Sequence, residues 1–207
     1  MNEIIGTFLF AVGGFFCGSV MFSYLIAKIF FKVDIIEKGS DHNPGTTNVL
    51  RCVGTVPGVV CLVLDVAKAA VPVFVARQVL PMESRWFALV VAAPVLGHAF
   101  SPMLKGKGGK AIAASFGAFL AVSSVGQPVV LYLALLLMFF SVVIVIKPDS
   151  LRVMVCMLAF VPLCYALPAP RCAGLAALLV AATVIFKHIT NYGDEKAQVR
   201  LLFEKKK

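Results

Sequence analysis

From Ile4 to Phe31 the chain carries one charged side chain, Lys28, and no proline. A helix needs roughly 20 apolar residues to cross the hydrocarbon layer of a membrane, so a run of this length confines the chain to folds that live in lipid. Further apolar segments follow at 53–77, 86–104, 111–125, 128–146, 151–166 and 171–186, set apart by Gly, Pro and charged residues. They predict an all-α fold: a polytopic transmembrane helix bundle of about seven spans. The chain reads as one integral-membrane domain over 1–207, ending in a polar tail over 190–207. No segment alternates apolar and polar residues as a barrel strand does, and sheet is not expected. The first segment is too long for a signal-peptide core and ends in no small-residue cleavage site, so it is expected to stay in the protein.

Composition agrees and narrows the function. Of 207 residues, 60% are hydrophobic and 14% charged, outside the range of soluble domains. A net charge of +9 would suggest nucleic acid in a soluble protein. Here the basic residues sit in short loops and the tail, where they set topology and attract anionic head groups or substrates, and no nucleic-acid partner is expected. Loops 32–52, 105–110 and 147–152, with Lys28 and the stretch from Lys187 to the end, hold fifteen of the nineteen Lys and Arg. That bias places the N-terminus outside and the C-terminus in the cytoplasm. The six cysteines have no metal spacing, and neither histidines nor carboxylates cluster; no metal and no cofactor are expected.

Polarity concentrates in a few stretches. Residues 34–51, DIIEKGSDHNPGTTNVLR, combine Gly39 and Gly45 with Ser40, Asn43, Thr47, Asn48 and Arg51. Glycines free backbone N–H groups, hydroxyls and amides donate, and a guanidinium fork matches phosphate. The same residue types also make a solvated connector. Residues 97–110, GHAFSPMLKGKGGK, pair His98 with Lys105, Gly108, Gly109 and Lys110 ahead of a small-residue helix. This is a second anion cradle or a positive-inside turn, and it lacks the spacing of a nucleotide P-loop. His188 and Asn191 are three apart where the last helix leaves the membrane, and share a face if the helix continues. Asp65 and Lys68, also three apart, lie inside an apolar helix, where each satisfies the other or supports a pocket floor. Ser19, Ser23 and Tyr24 are placed to line the same interior.

Taken in order, these stretches resemble the bacterial acyl-phosphate:glycerol-3-phosphate acyltransferase family of small polytopic membrane enzymes. The family's Gly-Ser, Asp-Ile and G-S-G-N-x-G-A-T-N followed by Arg appear as Gly18-Ser19, Asp34-Ile35 and GSDHNPGTTNVLR; its Asp-x-x-Lys matches Asp65 and Lys68; its G-H-x-x-P and G-G-K match Gly97, His98, Pro102 and 108–110; its His-x-x-Asn matches His188 and Asn191. The resemblance implies acyl transfer from a long-chain acyl phosphate to the 1-hydroxyl of glycerol 3-phosphate, giving lysophosphatidic acid and phosphate at the start of phospholipid synthesis. It implies a multi-pass protein of the bacterial cytoplasmic (inner) membrane with a cytoplasmic-facing site. Ser40, Arg51, His188 and Asn191 take catalytic roles, and Gly39, Asn43, Gly45, Thr47, Asn48, His98, Lys105, Gly108, Gly109 and Lys110 bind substrate phosphate.

The sequence also departs from the pattern. The first loop is one residue longer, with Asp41 and His42 in place of a Gly; a carboxylate there suits a phosphate site only if it points away. Ala111 stands where a Gly follows G-G-K, and the Arg-Leu and Gly-x-Glu after His-x-x-Asn survive only as an echo at 193–195. A divergent member, a paralogue that binds anionic lipid, and a transporter or channel for a small phosphorylated solute are the rival expectations. No internal repeat of the kind common in transporters is visible.

Overall fold

A computed structural model describes residues 2–190, 192 and 196–202. In chain order its elements are α1 (Glu3–Ser19), α2 (Phe22–Phe30), α3 (Ile35–Lys38), α4 (Thr46–Cys52), α5 (Thr55–Ala76), α6 (Phe87–Ala99), a 3-10 turn (Pro102–Leu104), α7 (Ile112–Val122), α8 (Val129–Val142), β1 (Ile144–Lys147), α9 (Asp149–Ala166), α10 (Arg171–Ile189) and β2 (Gln198–Leu201). The fold is mainly helical, as expected. Five stretches are long and apolar enough to cross a membrane: Glu3–Phe30, Thr55–Ala76, Phe87–Leu104, Asp149–Ala166 and Arg171–Ile189. The other two segments give shorter helices, α7 with 11 residues and α8 with 14.

The first apolar segment is not one helix. It breaks at Val20 and Met21, whose ψ angles of 115° and 75° leave the helical region. No proline causes the break, so other groups must satisfy the carbonyls it exposes, because a free backbone acceptor in hydrocarbon costs several kcal/mol. Two side chains from distant helices do so. Ser101 Oγ donates to the Ser19 carbonyl at 2.5 Å, and Lys68 Nζ donates to the Val20 carbonyl at 2.6 Å. The same ammonium lies 2.8 Å from Asp65 Oδ1, and the pair is buried, at 4% and 1% exposure. Lys68 thus spans α5 and the α1–α2 break, and Asp65 balances its charge.

Close helix approach fixes the rest of the frame. α1 packs along α6, α5 along α7, and α10 against both α9 and α6. A Cβ on Gly18 would fall on the Pro94 carbonyl oxygen, and one on Gly97 on the Phe15 carbonyl oxygen. Only hydrogen fits at either position, the small-residue packing that lets membrane helices meet backbone to backbone. Large apolar side chains such as Phe8, Phe16, Val63, Phe74, Leu158 and Phe186 stay more than half exposed, as a lipid-facing surface requires.

The expectation of no sheet is corrected at one edge. β1 and β2 pair antiparallel, Ile144 against Leu201 and Lys147 against Gln198, so the tail folds back on the chain. The helix expected to run through 146 ends at Val142. The run from Val142 to Ile146 is β-branched throughout, and such side chains lose rotamer freedom in a helix and pack well in a strand.

Removing Lys68 while leaving Asp65 would strand a carboxylate in the core and free the Val20 carbonyl. Lys68→Met is expected to cost about 3–5 kcal/mol, read as a lowered unfolding temperature of the purified protein in detergent. The double change Asp65→Asn, Lys68→Met should recover much of it. A loss no larger than that of Lys147→Met, a change at an exposed strand residue, would mean that the pair does not hold the break.

Candidate active site

The segment 34–51 folds as two short helices around a knot of local hydrogen bonds. Asp34 caps α3 by accepting from the Ile36 and Glu37 amides. His42, at φ +49°, turns the chain back and its Nδ1 meets the Ile36 carbonyl at 2.8 Å. Asn48, on α4, crosses the loop, its Nδ2 donating to the Asn43 carbonyl and to Asp41 Oδ1, both at 2.8 Å. A Cβ on Gly39 would fall on that Asn48 amide. Gly39, Asn43 and Asn48 are therefore joined, with Gly45 at the cap of α4.

Beneath this knot lies the buried polar hub. Asp65 Oδ2 accepts from Thr46 Oγ1 at 3.0 Å and Ser23 Oγ at 3.1 Å, and Oδ1 takes the Lys68 ammonium. The loop is thereby tied to α2 and α5 at once. His98 Nδ1 stands 3.9 Å from Asp65 Oδ1, beyond hydrogen-bond reach. The sequence showed Asp65 and Lys68 as a pair; Ser23 was seen as a lining residue, while Thr46 carried no signal that set it apart from Thr47.

The glycine-rich strap crosses over α6. Gly109 donates its amide to the His98 carbonyl at 3.1 Å, and Gly106 to the Ser101 carbonyl at 2.9 Å. A Cβ at Gly108 would fall on the His98 carbonyl oxygen, and one at Gly109 on the His98 ring. These glycines let the strap lie flat on His98. Ala111, in the position where the family pattern has Gly, adopts φ +63°, a left-handed conformation that costs a residue with a Cβ roughly 1–2 kcal/mol. The family's glycine suits that geometry, and Ala111 holds it under strain.

The strap and the first loop meet through charge. Lys110 Nζ lies 2.8 Å from Asp41 Oδ2, so the added carboxylate points into the cluster, correcting the expectation that it must point away. Burial alone would raise the Asp41 carboxyl, but hydrogen bonds from Lys110 and Asn48 and the Lys110 charge outweigh it and hold it below the usual carboxylate range. His188, near the end of α10, is 2% exposed with neither ring nitrogen hydrogen-bonded. The cluster thus joins Asn43, Asn48, Asp41 and Lys110 directly, with His98 under the strap and His188 alongside. The side chains of Ser40, Thr47, Arg51 and Lys105 are exposed and carry no hydrogen bond to it. Asn191 lies outside the described residues. A cavity of about 950 Å³ opens at the far end of the bundle, among Glu83, Arg85, Tyr165 and Arg171, and contains no motif residue. Among the described residues no group of three or more His, Cys, Asp or Glu is placed to hold a metal.

Such a cluster, with a lysine, two amides and backbone N–H groups at one end of a membrane bundle, can neutralise and orient an oxyanion. Comparison with known proteins decides the family: the profile of glycerol-3-phosphate acyltransferases matches residues 8–197. The chain belongs to that family. Among glycerol-3-phosphate acyltransferases, that of Thermotoga petrophila is 40% identical over 119 residues, 58% of this chain and 60% of the relative. That of Maridesulfovibrio salexigens is 46% identical over 116 residues, 55% and 57% of the two chains. The chain thus aligns with under two thirds of the length of these relatives. Among solved structures, PlsY (YgiH), an integral membrane glycerol 3-phosphate acyltransferase, superposes in its glycerol 3-phosphate form with TM-score 0.76 and 27% identity, over 89% of each chain. Its lysophosphatidic acid form gives 0.72 and 26%.

Two outcomes follow. Gly108→Ala places a methyl on the His98 carbonyl and should destabilise by about 1–3 kcal/mol, whereas Gly126→Ala, with nothing near its Cβ, should not; equal thermal shifts for the two would refute the close strap. Because the Asp41 pKa is depressed in the folded chain, the stabilisation from its ion pair is fully present above the ordinary carboxylate pKa and is lost as pH falls through the lowered value. Carboxyl carbon NMR of Asp41 should therefore show an ionised side chain throughout the mildly acidic range.

Proposed function

We propose that this protein transfers a fatty acyl group from a long-chain acyl phosphate to the 1-hydroxyl of glycerol 3-phosphate, releasing phosphate and forming lysophosphatidic acid. The observation that carries this reading is the meeting of the first loop, the strap and His188 at one end of the bundle, around an oxyanion-binding cluster. That PlsY has been solved in glycerol 3-phosphate and lysophosphatidic acid forms supports the acceptor and product. The donor follows from chemistry: an acyl phosphate is a mixed anhydride, already activated at its carbonyl, and needs positioning and charge neutralisation more than a covalent enzyme intermediate.

In this scheme Lys110, Asn43, Asn48 and the N–H groups of Gly45 and Gly108 hold the acceptor's phosphate, Gly39 and Gly109 shape the two loops that present them, and Ser40, Thr47, Arg51 and Lys105 close over it from the exposed rim. The acceptor hydroxyl oxygen bonds to the acyl carbon, the carbon–oxygen bond to phosphate breaks, and the hydroxyl proton passes to a phosphate oxygen. His98 holds the strap, and His188 with Asn191 orients the substrates. The arrangement fits seven spans in a single domain, with the N-terminus outside, the tail in the cytoplasm and the site facing the cytoplasm from a bacterial inner membrane. The basic residues of loops 32–52 and 105–110 support that orientation.

The test is lysophosphatidic acid formation by purified protein given palmitoyl phosphate, with and without glycerol 3-phosphate. Acceptor-dependent product is expected, and none from well-folded protein would overturn the reading. Arg51→Ala should lower turnover about 100-fold without changing thermal stability, since Arg51 is exposed and has no hydrogen-bond or ion-pair partner among the described residues. Undiminished turnover would remove Arg51 from the site.

A further inference from the structure

The Asp41 carboxylate occupies a cradle whose donors suit a phosphate. Its Oδ2 takes the Lys110 ammonium at 2.8 Å; its Oδ1 takes the Asn48 amide at 2.8 Å and the Asn43 backbone N–H at 3.3 Å. Three donors from two separate loops converge on this one group. Carboxylate and phosphate are both oxyanions and accept from the same donors with similar geometry. The pair is only partly exposed, 30% at Asp41 and 20% at Lys110, so solvent screens it less than a surface pair.

Around this carboxylate several polar atoms remain unpartnered. Asn43 Oδ1, Asn48 Oδ1 and both nitrogens of His188 are buried without a hydrogen bond. Buried polar groups are nearly always paired in a finished core, so the unpartnered oxygens of Asn43 and Asn48, on the two residues that already donate to Asp41, suit a ligand that brings hydroxyl as well as oxyanion groups.

We propose that Asp41 is a built-in competitor for the anion subsite: its carboxylate holds Lys110, Asn48 and the Asn43 amide in the free protein, and a ligand phosphate must displace it to bind. The inference rests on the reading of this cluster as the acceptor site, and adds a residue that sets acceptor affinity. The family pattern has Gly in this part of the loop, so this chain adds a negative charge that a substrate dianion must push aside. Asp41 then raises the concentration of acceptor needed for turnover and makes the site selective for ligands with enough charge and hydroxyls to replace it.

Binding of inorganic phosphate to the purified full-length protein in detergent, measured by isothermal titration, tests this without relying on turnover. Asp41→Asn keeps the shape and the contact to Asn48 but removes the charge. Phosphate is expected to bind it about fivefold more tightly than the unchanged protein, the factor that loss of one partly screened like-charge contact brings. Where palmitoyl phosphate is turned over, the KM for glycerol 3-phosphate should fall by a similar factor, with kcat changing less. If Asp41→Asn does not fold, Asp41→Gly, the residue type of the family pattern, makes the same comparison. Equal or weaker phosphate binding by the variant, or binding by neither protein, overturns the proposal; weaker binding with a raised KM would show Asp41 positioning Lys110. Tighter phosphate binding without acyl transfer by either protein would sink the acyltransferase reading and leave the competitor in place.

Discussion

The buried Asp65–Lys68 pair is the contact on which the rest of the arrangement depends. Lys68 supplies the donor that lets the first apolar segment break inside the membrane, and Asp65 supplies its counter-charge at 2.8 Å in a low-dielectric interior. Two charges in hydrocarbon are costly alone and tolerable when each is paired and hydrogen-bonded. The other oxygen of Asp65 then reaches Ser23 and Thr46, so one carboxylate ties together the middle of α5, the second piece of the broken helix and the first turn of α4. The polar loop is held from below by this charged anchor and by a small apolar cluster in which its Ile35 and Val49 pack with Ala27 and Cys61.

Above that anchor, two kinds of closeness build the site. Backbone meets backbone where glycines allow it, with the strap lying on His98 and α1 lying on α6. Charge meets charge where the loops would otherwise part, at Asp41 and Lys110. The first is permanent, because no side chain can intrude. The second is exchangeable, because another anion can pair with Lys110 in place of Asp41. A rigid floor beneath an exchangeable roof would suit the proposed site, where phosphorylated compounds enter and leave.

Much of this was legible in the sequence. Apolar length alone gave a helical membrane protein, and residues 34–51, 97–110 and the Asp65–Lys68 pair marked the regions that the fold gathers. Three features were not legible, each for a physical reason. The break at Val20–Met21 has no proline, and its cause lies in Lys68 and Ser101, far along the chain. The β1–β2 ribbon comes from a short β-branched run at a helix end, which apolar length reads as more helix. Asp41 looked like an intruder because a charge's sign is visible in a sequence and its partner is not.

The shortness of α7 has a further effect. Eleven residues make about 17 Å of helix, well short of the ~30 Å hydrocarbon layer, and Lys110 stands at its start. Only Leu120 of α7 is exposed, so neighbouring helices rather than lipid cover its short length, and the strap at its start would stand below the level of the head groups within a shell of protein. A long-chain amphiphile sliding within its leaflet would bring its polar end level with Lys110 without lifting its tail from the hydrocarbon. Depth matching, set by helix length, would then bring a lipid-borne reactant and a water-borne one to the same plane.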